Sequence, residues 1–157
     1  VERGVELGYD AEAVTRGRAL RSRIPDAEVM ADVASAIDAV SSAGKTGAVG
    51  YCWGGTVAWL AAARLTLSAA VAYYGAGIHA LRAEAPRCPM LLHFGARDAS
   101  IPEAAIADIR AAQPTIETHV YAEAEHGFNC DARRSYEPGA ARLARARTLA
   151  FLVRALG

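Results

Sequence analysis

Three residues with complementary chemistry each follow a strand-like run: a thiol at Cys52, a carboxylate at Asp98 and an imidazole at His126. The thiol has the most informative setting. Gly50-Tyr51-Cys52-Trp53-Gly54-Gly55 closes a short apolar run and opens an alanine-rich one. A strand–turn–helix turn of this kind thrusts its middle side chain outward. Its flanking positions must be small because strand and helix nearly touch. The order nucleophile, acid, histidine fits a triad in which the imidazole takes the proton of the attacking group and the carboxylate orients the ring. A free thiol with a pKa of about 8.5 is only slightly ionised at neutral pH, so Cys52 needs such a base. The backbone N–H of Trp53 is positioned to meet an oxyanion, and the helix opening at Gly54 sets a positive dipole end beside the sulfur.

Each residue also has a plainer reading. Cysteine commonly packs as a small buried hydrophobe, which is the reading taken for Cys88 at a strand entrance. Asp98 either orients His126 or caps the helix near Pro102. His126 sits in the turn-like Ala124-Glu125-His126-Gly127-Phe128. His93 and His119 lie within strands and read as hydrogen-bonded structural residues, while His79 is either a loop residue or part of a pocket wall. Of Tyr73 and Tyr74, which end one strand, one should face the core and the other the pocket. Trp53 either floors the site or packs. Arg133 and Arg134 read as solvated surface, with binding of an acidic substrate as the alternative.

The surrounding pattern supplies the elements that must position these groups. Val1 to Gly8 reads as irregular chain. Tyr9 to Arg23 reads as a helix with Asp10 as its N-cap. A second helix starts at Pro25-Asp26, carries Val29, Val33, Ile37 and Val40 as a buried stripe, and ends at Gly44. Thr46 to Tyr51 fits a strand buried on both faces. Gly54 to Arg64 is a helix packed inside the fold. Ala69 to Tyr74 and Met90 to Gly95 are strands, and Pro102 to Ala112 is a helix with proline in its first turn. Thr115 to Tyr121 is a strand and Gly139 to Leu156 a long closing helix. The alternation predicts a single α/β domain over residues 1–157, a parallel sheet with helices on both faces. Open sheets of this type bind ligands beyond the carboxyl ends of their strands, where Cys52, Asp98 and His126 all fall.

Composition narrows the partners. With 157 residues, 53% of them hydrophobic, the chain can bury one core. Seventeen basic and seventeen acidic residues cancel, which argues against nucleic acid or an anionic membrane. No apolar run reaches the length of a membrane span, and no charged-then-apolar leader is expected. Three widely spaced cysteines make neither a disulfide framework nor a zinc set. A reducing cytoplasm suits a working thiol. No metal or organic cofactor is implied.

These residues resemble the dienelactone hydrolase (carboxymethylenebutenolidase) family, a branch of the α/β-hydrolases with a Cys-Asp-His triad. The likeness begins at Gly4-Val5-Glu6-Leu7-Gly8-Tyr9, includes Val49-Gly50-Tyr51-Cys52-Trp53-Gly54-Gly55 and continues at Val71-Ala72-Tyr73-Tyr74-Gly75. It then takes in Pro89-Met90-Leu91-Leu92-His93-Phe94-Gly95, Asp98, His126-Gly127-Phe128 and Arg147-Thr148-Leu149-Ala150-Phe151-Leu152. The resemblance implies an α/β-hydrolase-type fold, with Cys52 as nucleophile, Asp98 as acid and His126 as base. It implies cleavage of a small ester or lactone through a thioester acyl-enzyme. Tyr74, Phe128 and Arg133 are candidate substrate contacts beside that triad. Members of the family open the lactone ring of dienelactones. Well-known ones hold the substrate carboxylate with an arginine four positions after the histidine, where this chain has Cys130.

The family also has earlier strands ahead of the segment matching Val1, carrying a second oxyanion donor and a glutamate that accepts the resting thiol's proton. The expectation is therefore a carboxy-terminal portion of the fold, poorly soluble and weakly active alone. Its strand Thr46 to Tyr51 would lie at an exposed edge that invites aggregation or an oligomer. Two other readings compete. A catalytically impaired or non-catalytic hydrolase-fold module is one. The other is a dinucleotide-binding loop, because Gly50, Cys52 and Gly55 nearly mimic its glycine pattern. That loop wants glycine where Cys52 stands and an acidic residue about twenty positions on, and none occurs between Asp38 and Glu84. A redox role lacks a C-x-x-C partner.

Overall fold

In the computed structural model the described residues are 4–157, so the start of the expected irregular segment, Val1 to Arg3, lies outside them. Helix α1 spans Ala11–Arg21, and the Asp10 carboxylate caps it by accepting the Ala13 N–H at 2.8 Å. Helix α2 spans Asp26–Val40. The expected buried stripe on α2 is only half realised. Met30 is its one buried residue, Val29, Val33 and Ile37 are half-buried, and Val40 is exposed. The reason is geometric: α2 packs chiefly on the next long helix rather than on the sheet.

Four strands follow: β1 (Gly47–Tyr51), β2 (Ala69–Tyr73), β3 (Met90–Gly95) and β4 (Glu117–Tyr121). They pair in parallel in the order β1-β2-β3-β4. Between them run α3 (Trp53–Arg64), the four-residue α4 (Ile78–Leu81) and α5 (Glu103–Ala112), and α6 (Pro138–Leu156) closes the chain. Pro102 stands just before α5 in extended backbone rather than inside its first turn. The side-chain alternation of β1 shows which helix covers which face. A Cβ on Gly47 would meet Leu152 and Leu156 of α6, whereas one on Gly50 would meet Gly54 of α3. Residues of opposite parity in a strand point to opposite faces, so α3 and α6 sandwich the sheet.

β2 and β3 are buried along their whole length, as central parallel strands should be. β1 is not, which corrects the reading of Thr46 to Tyr51 as buried on both faces. It forms one edge of the sheet, with Val49 at 41% and Tyr51 at 46% exposure, and among the described residues no strand pairs with its outer side. The edge position expected from the family resemblance is the one observed.

One row of rings crosses all four strands. Tyr51 is in register with Tyr73, Tyr73 with His93, and His93 with His119. Successive centroids lie 4.7, 4.4 and 5.8 Å apart on the α6 face. Thr148 of α6 ties this row down: its hydroxyl pairs with the Tyr73 hydroxyl at 2.7 Å and with His93 Nε2 at 3.0 Å. His93 Nδ1 meets the Tyr121 hydroxyl at 2.9 Å, so every polar atom of the buried ring is satisfied. Burial pushes the His93 pKa down to about 3 and keeps it neutral. His119 pairs with Glu117 at 2.9 Å. Both histidines are thus hydrogen-bonded residues of the sheet, as their place in strands suggests. No helix among the described residues is long and apolar enough to cross a membrane.

Candidate active site

The turn between β1 and α3 is built for close approach. A Cβ on Gly50 would come within 1.8 Å of the Gly54 carbonyl oxygen, and one on Gly55 within 2.7 Å of the Tyr73 carbonyl oxygen. Neither position admits a side chain without moving backbone. Between them Cys52 has φ +55° and ψ −119°, a strained conformation for a residue with a Cβ. Its N–H donates to the Tyr73 carbonyl at 3.0 Å, while its own carbonyl accepts from the Gly55 N–H at 3.0 Å. These bonds extend the β1–β2 ladder by one residue and then start α3, which fixes the direction of the thiol.

Asp98 and His126 come from the loops after β3 and β4. His126 Nε2 lies 3.1 Å from Cys52 Sγ, and its Nδ1 lies 2.8 Å from Asp98 Oδ2. Asp98 is only 3% exposed, and its other oxygen accepts the Ser100 N–H at 2.8 Å. The aspartate therefore orders its own loop and faces the histidine as well, and α5 starts beyond it at Glu103. Behind His126, the Ser135 hydroxyl donates to the histidine carbonyl at 2.7 Å and secures the turn.

Electrostatics favours separated charges across the Cys52–His126 contact. The Asp98 hydrogen bond, followed by the one to Cys52, pushes His126 up to about 9. The same His126 contact lowers the Cys52 thiol against the opposing effect of burial, and the Trp53 backbone N–H lowers it further. The amino end of α3 adds its dipole in the same direction. These contacts shift the pair toward a thiolate beside an imidazolium. That arrangement can attack an acyl carbon and return a proton to a leaving oxygen.

A cavity of about 430 Å³ opens at the sulfur, lined by Tyr9, Tyr51, Tyr74, Asn129, Cys130, Asp131 and Arg133. A wider groove of about 950 Å³ continues on the α1 side past Arg18, Arg21, Trp53, Glu125, His126 and Arg134. Tyr74 and Arg133 line this cavity, and Tyr73 faces the core. Phe128 is not at the cavity. It is fully buried, with its ring among Tyr73, Tyr74 and Tyr121, because the turn after His126 directs it inward. Trp53 lines the groove, with the Arg21 guanidinium 4.5 Å from its ring centroid. His79 is neither loop nor cavity lining: it sits in α4 and pairs with Asp108 at 2.8 Å. Cys88 is half-buried against the core.

Sequence reasoning missed Tyr9, Asn129, Cys130 and Asp131 as cavity residues. Tyr9 lies just ahead of the Asp10 cap of α1, with its ring beneath the Arg133 guanidinium at 5.2 Å. The available signal was proximity in sequence to His126 for the last three; nothing local marks Tyr9. The dinucleotide alternative finds the Cys52 side chain, not bare backbone, at the middle of the loop, engaged with His126. Among the described residues no group of three His, Cys, Asp or Glu is arranged to hold a metal ion.

Comparison with known proteins gives one consistent answer. The profile of the dienelactone hydrolase family matches residues 2–156. A carboxymethylenebutenolidase of Pseudomonas putida is 39% identical over 116 residues, covering 71% of this chain and 49% of that protein. Among solved structures, a Klebsiella pneumoniae protein assigned as a dienelactone hydrolase superposes with a TM-score of 0.76 at 34% identity, covering 84% of this chain and 63% of that one. A Pyrococcus furiosus esterase superposes with a TM-score of 0.64 at 14% identity, a likeness of fold alone. The chain spans about half the length of its Pseudomonas relatives.

Proposed function

From the premise that the chain belongs to the dienelactone hydrolase family, we propose that it hydrolyses a small ester or lactone through a thioester acyl-enzyme on Cys52. The observation that carries this reading is the pair of contacts at His126, 3.1 Å to Cys52 Sγ and 2.8 Å to Asp98 Oδ2. The Cys52 thiolate attacks the substrate carbonyl carbon, and the Trp53 N–H stabilises the oxyanion that forms. Collapse of that intermediate breaks the acyl carbon–oxygen bond, and His126 gives its proton to the departing alkoxide. His126, now neutral, takes a proton from water as the water attacks the thioester. The second collapse expels the Cys52 thiolate, so the enzyme returns to its starting charges and the product is the carboxylic acid. Asp98 holds the ring through Nδ1 in both halves. Tyr74 and Arg133 contact the acyl portion in the cavity, and Arg133 supplies a cation for an acidic group on it.

Turnover of a panel of aryl esters and small lactones tests this. Wild-type chain should hydrolyse at least one of them, and Cys52→Ala should lower the rate by roughly 10³-fold or more. Equal turnover by Cys52→Ala would remove the proposal.

A further inference from the structure

Tyr74 has a backbone conformation that its neighbours in β2 do not share. Its φ is +39°, a region that residues with bulky side chains rarely occupy. It follows Tyr73, whose ring lies on the α6 face, so a continued strand would send the Tyr74 ring to the opposite face. Instead both rings meet Phe128, with centroids 6.2 Å away for Tyr73 and 5.3 Å for Tyr74. The left-handed turn swings the Tyr74 ring back over the carboxyl edge of the sheet. There it stands edge-on to His126, centroids 5.2 Å apart and planes at 62°. The Tyr74 N–H is held by the His93 carbonyl at 2.8 Å, and the residue is 3% exposed.

We propose that Tyr74 is a positioning residue whose ring closes one side of the His126 imidazole and keeps it in the plane joining Asp98 to Cys52. The inference rests on the Cys52–His126 reading above. In-plane hydrogen bonds at Nδ1 and Nε2 define where those atoms sit but resist tilting of the ring only weakly. An aromatic neighbour packed edge-on resists it directly. The other side of His126 borders the open groove, so the Tyr74 ring also shields one flank of the charge pair from water. The hydroxyl is not the agent: burial pushes its pKa up, and it stays a neutral phenol.

Three variants separate ring from hydroxyl. Tyr74→Gly and Tyr74→Asn both accept a positive φ and remove the ring, whereas Tyr74→Phe keeps it. The readout is the pH dependence of iodoacetamide alkylation at Cys52, followed by mass spectrometry on folded protein. Tyr74→Phe should overlay the wild type. The two ringless variants should shift the midpoint upward and slow alkylation near neutral pH by about tenfold. A folded ringless variant with the wild-type profile would overturn the proposal, as would a Phe variant displaced as far as the ringless ones. A measurement on wild type needs no variant: nuclear Overhauser contacts should join the Tyr74 ring to the His126 ring, and their absence would also overturn it. His126→Ala distinguishes this inference from the reading beneath it. If His126→Ala leaves the profile unchanged, the Cys52–His126 reading falls. A response to His126→Ala with none to Tyr74→Gly removes Tyr74 alone.

Discussion

His126 Nε2 lies 3.1 Å from Cys52 Sγ although the two residues are 74 positions apart in the chain. That contact is the largest cause of the lowered Cys52 pKa. Removing the imidazole leaves the burial of the sulfur, which acts in the opposite direction. His126→Ala should therefore slow alkylation of Cys52 near neutral pH by at least about tenfold. Cys88 should keep its wild-type rate, because its pKa is set by its own burial, which raises it, and by Arg87, which opposes that, with no part for His126. Site-resolved mass spectrometry of partly alkylated protein reads both rates in one sample.

The pH profile of hydrolysis should be bell-shaped. Activity rises as the Cys52 thiol ionises, at a pH below the ordinary thiol range, and falls as His126 loses its proton near pH 9. The hydrogen bond to Asp98 is the leading cause of the raised His126 value. Asp98→Asn removes that cause, so its descending limb should move to lower pH, with a fall in the maximal rate of about 10²-fold or more. Initial rates measured across the neutral and alkaline range check the direction of the shift.

The elbow tolerates no side chain at Gly50. A Cβ there would lie 1.8 Å from the Gly54 carbonyl oxygen, and that atom belongs to the first turn of α3 rather than to a flexible side chain. Gly50→Ala should destabilise the chain by about 3 kcal/mol or more. Gly54→Ala, where a Cβ meets nothing within 4 Å, should stay within about 1 kcal/mol of wild type. Denaturant melts of the two variants test the contrast.

His93 makes stability depend on acid. Its folded pKa is pushed down to about 3 from an ordinary value of 6.5, so the unfolded chain takes up the proton first as pH falls. Wild-type stability should fall from about pH 6.5 downward, until the folded form also protonates. His93→Leu removes the hydrogen bonds to Tyr121 and Thr148 and should cost about 2–4 kcal/mol near neutral pH. It should also flatten the acid slope. Melts near neutral pH and at about pH 4 measure both effects.

These residues also show how much the sequence revealed. Cys52, Asp98 and His126 could be brought together because each lies in the connection that follows a strand of a parallel sheet, and topology alone sends strand ends to one rim. Gly50 and Gly55 were legible for the same reason, since the strand–turn–helix junction demands small flanks. The exposure of β1 was not legible from its own residues. Gly47-Ala48-Val49-Gly50-Tyr51 has the composition of a central strand, and the number of neighbours a strand has is a tertiary property. Phe128, a candidate substrate contact, was misplaced because the turn at Gly127, with φ +80°, carries its ring into the core. Tyr9 was invisible because its role depends on where α1 docks, and α4 is too short for a periodic signal.

The most direct test is to trap the acyl group. Wild-type chain mixed with an activated aryl acetate, quenched in acid and digested, should carry acetyl on the Cys52 peptide within the first turnover, and His126→Ala should carry far less at the same time. Acetyl confined to Cys88 or Cys130, or hydrolysis proceeding with Cys52 never acylated, would contradict the account.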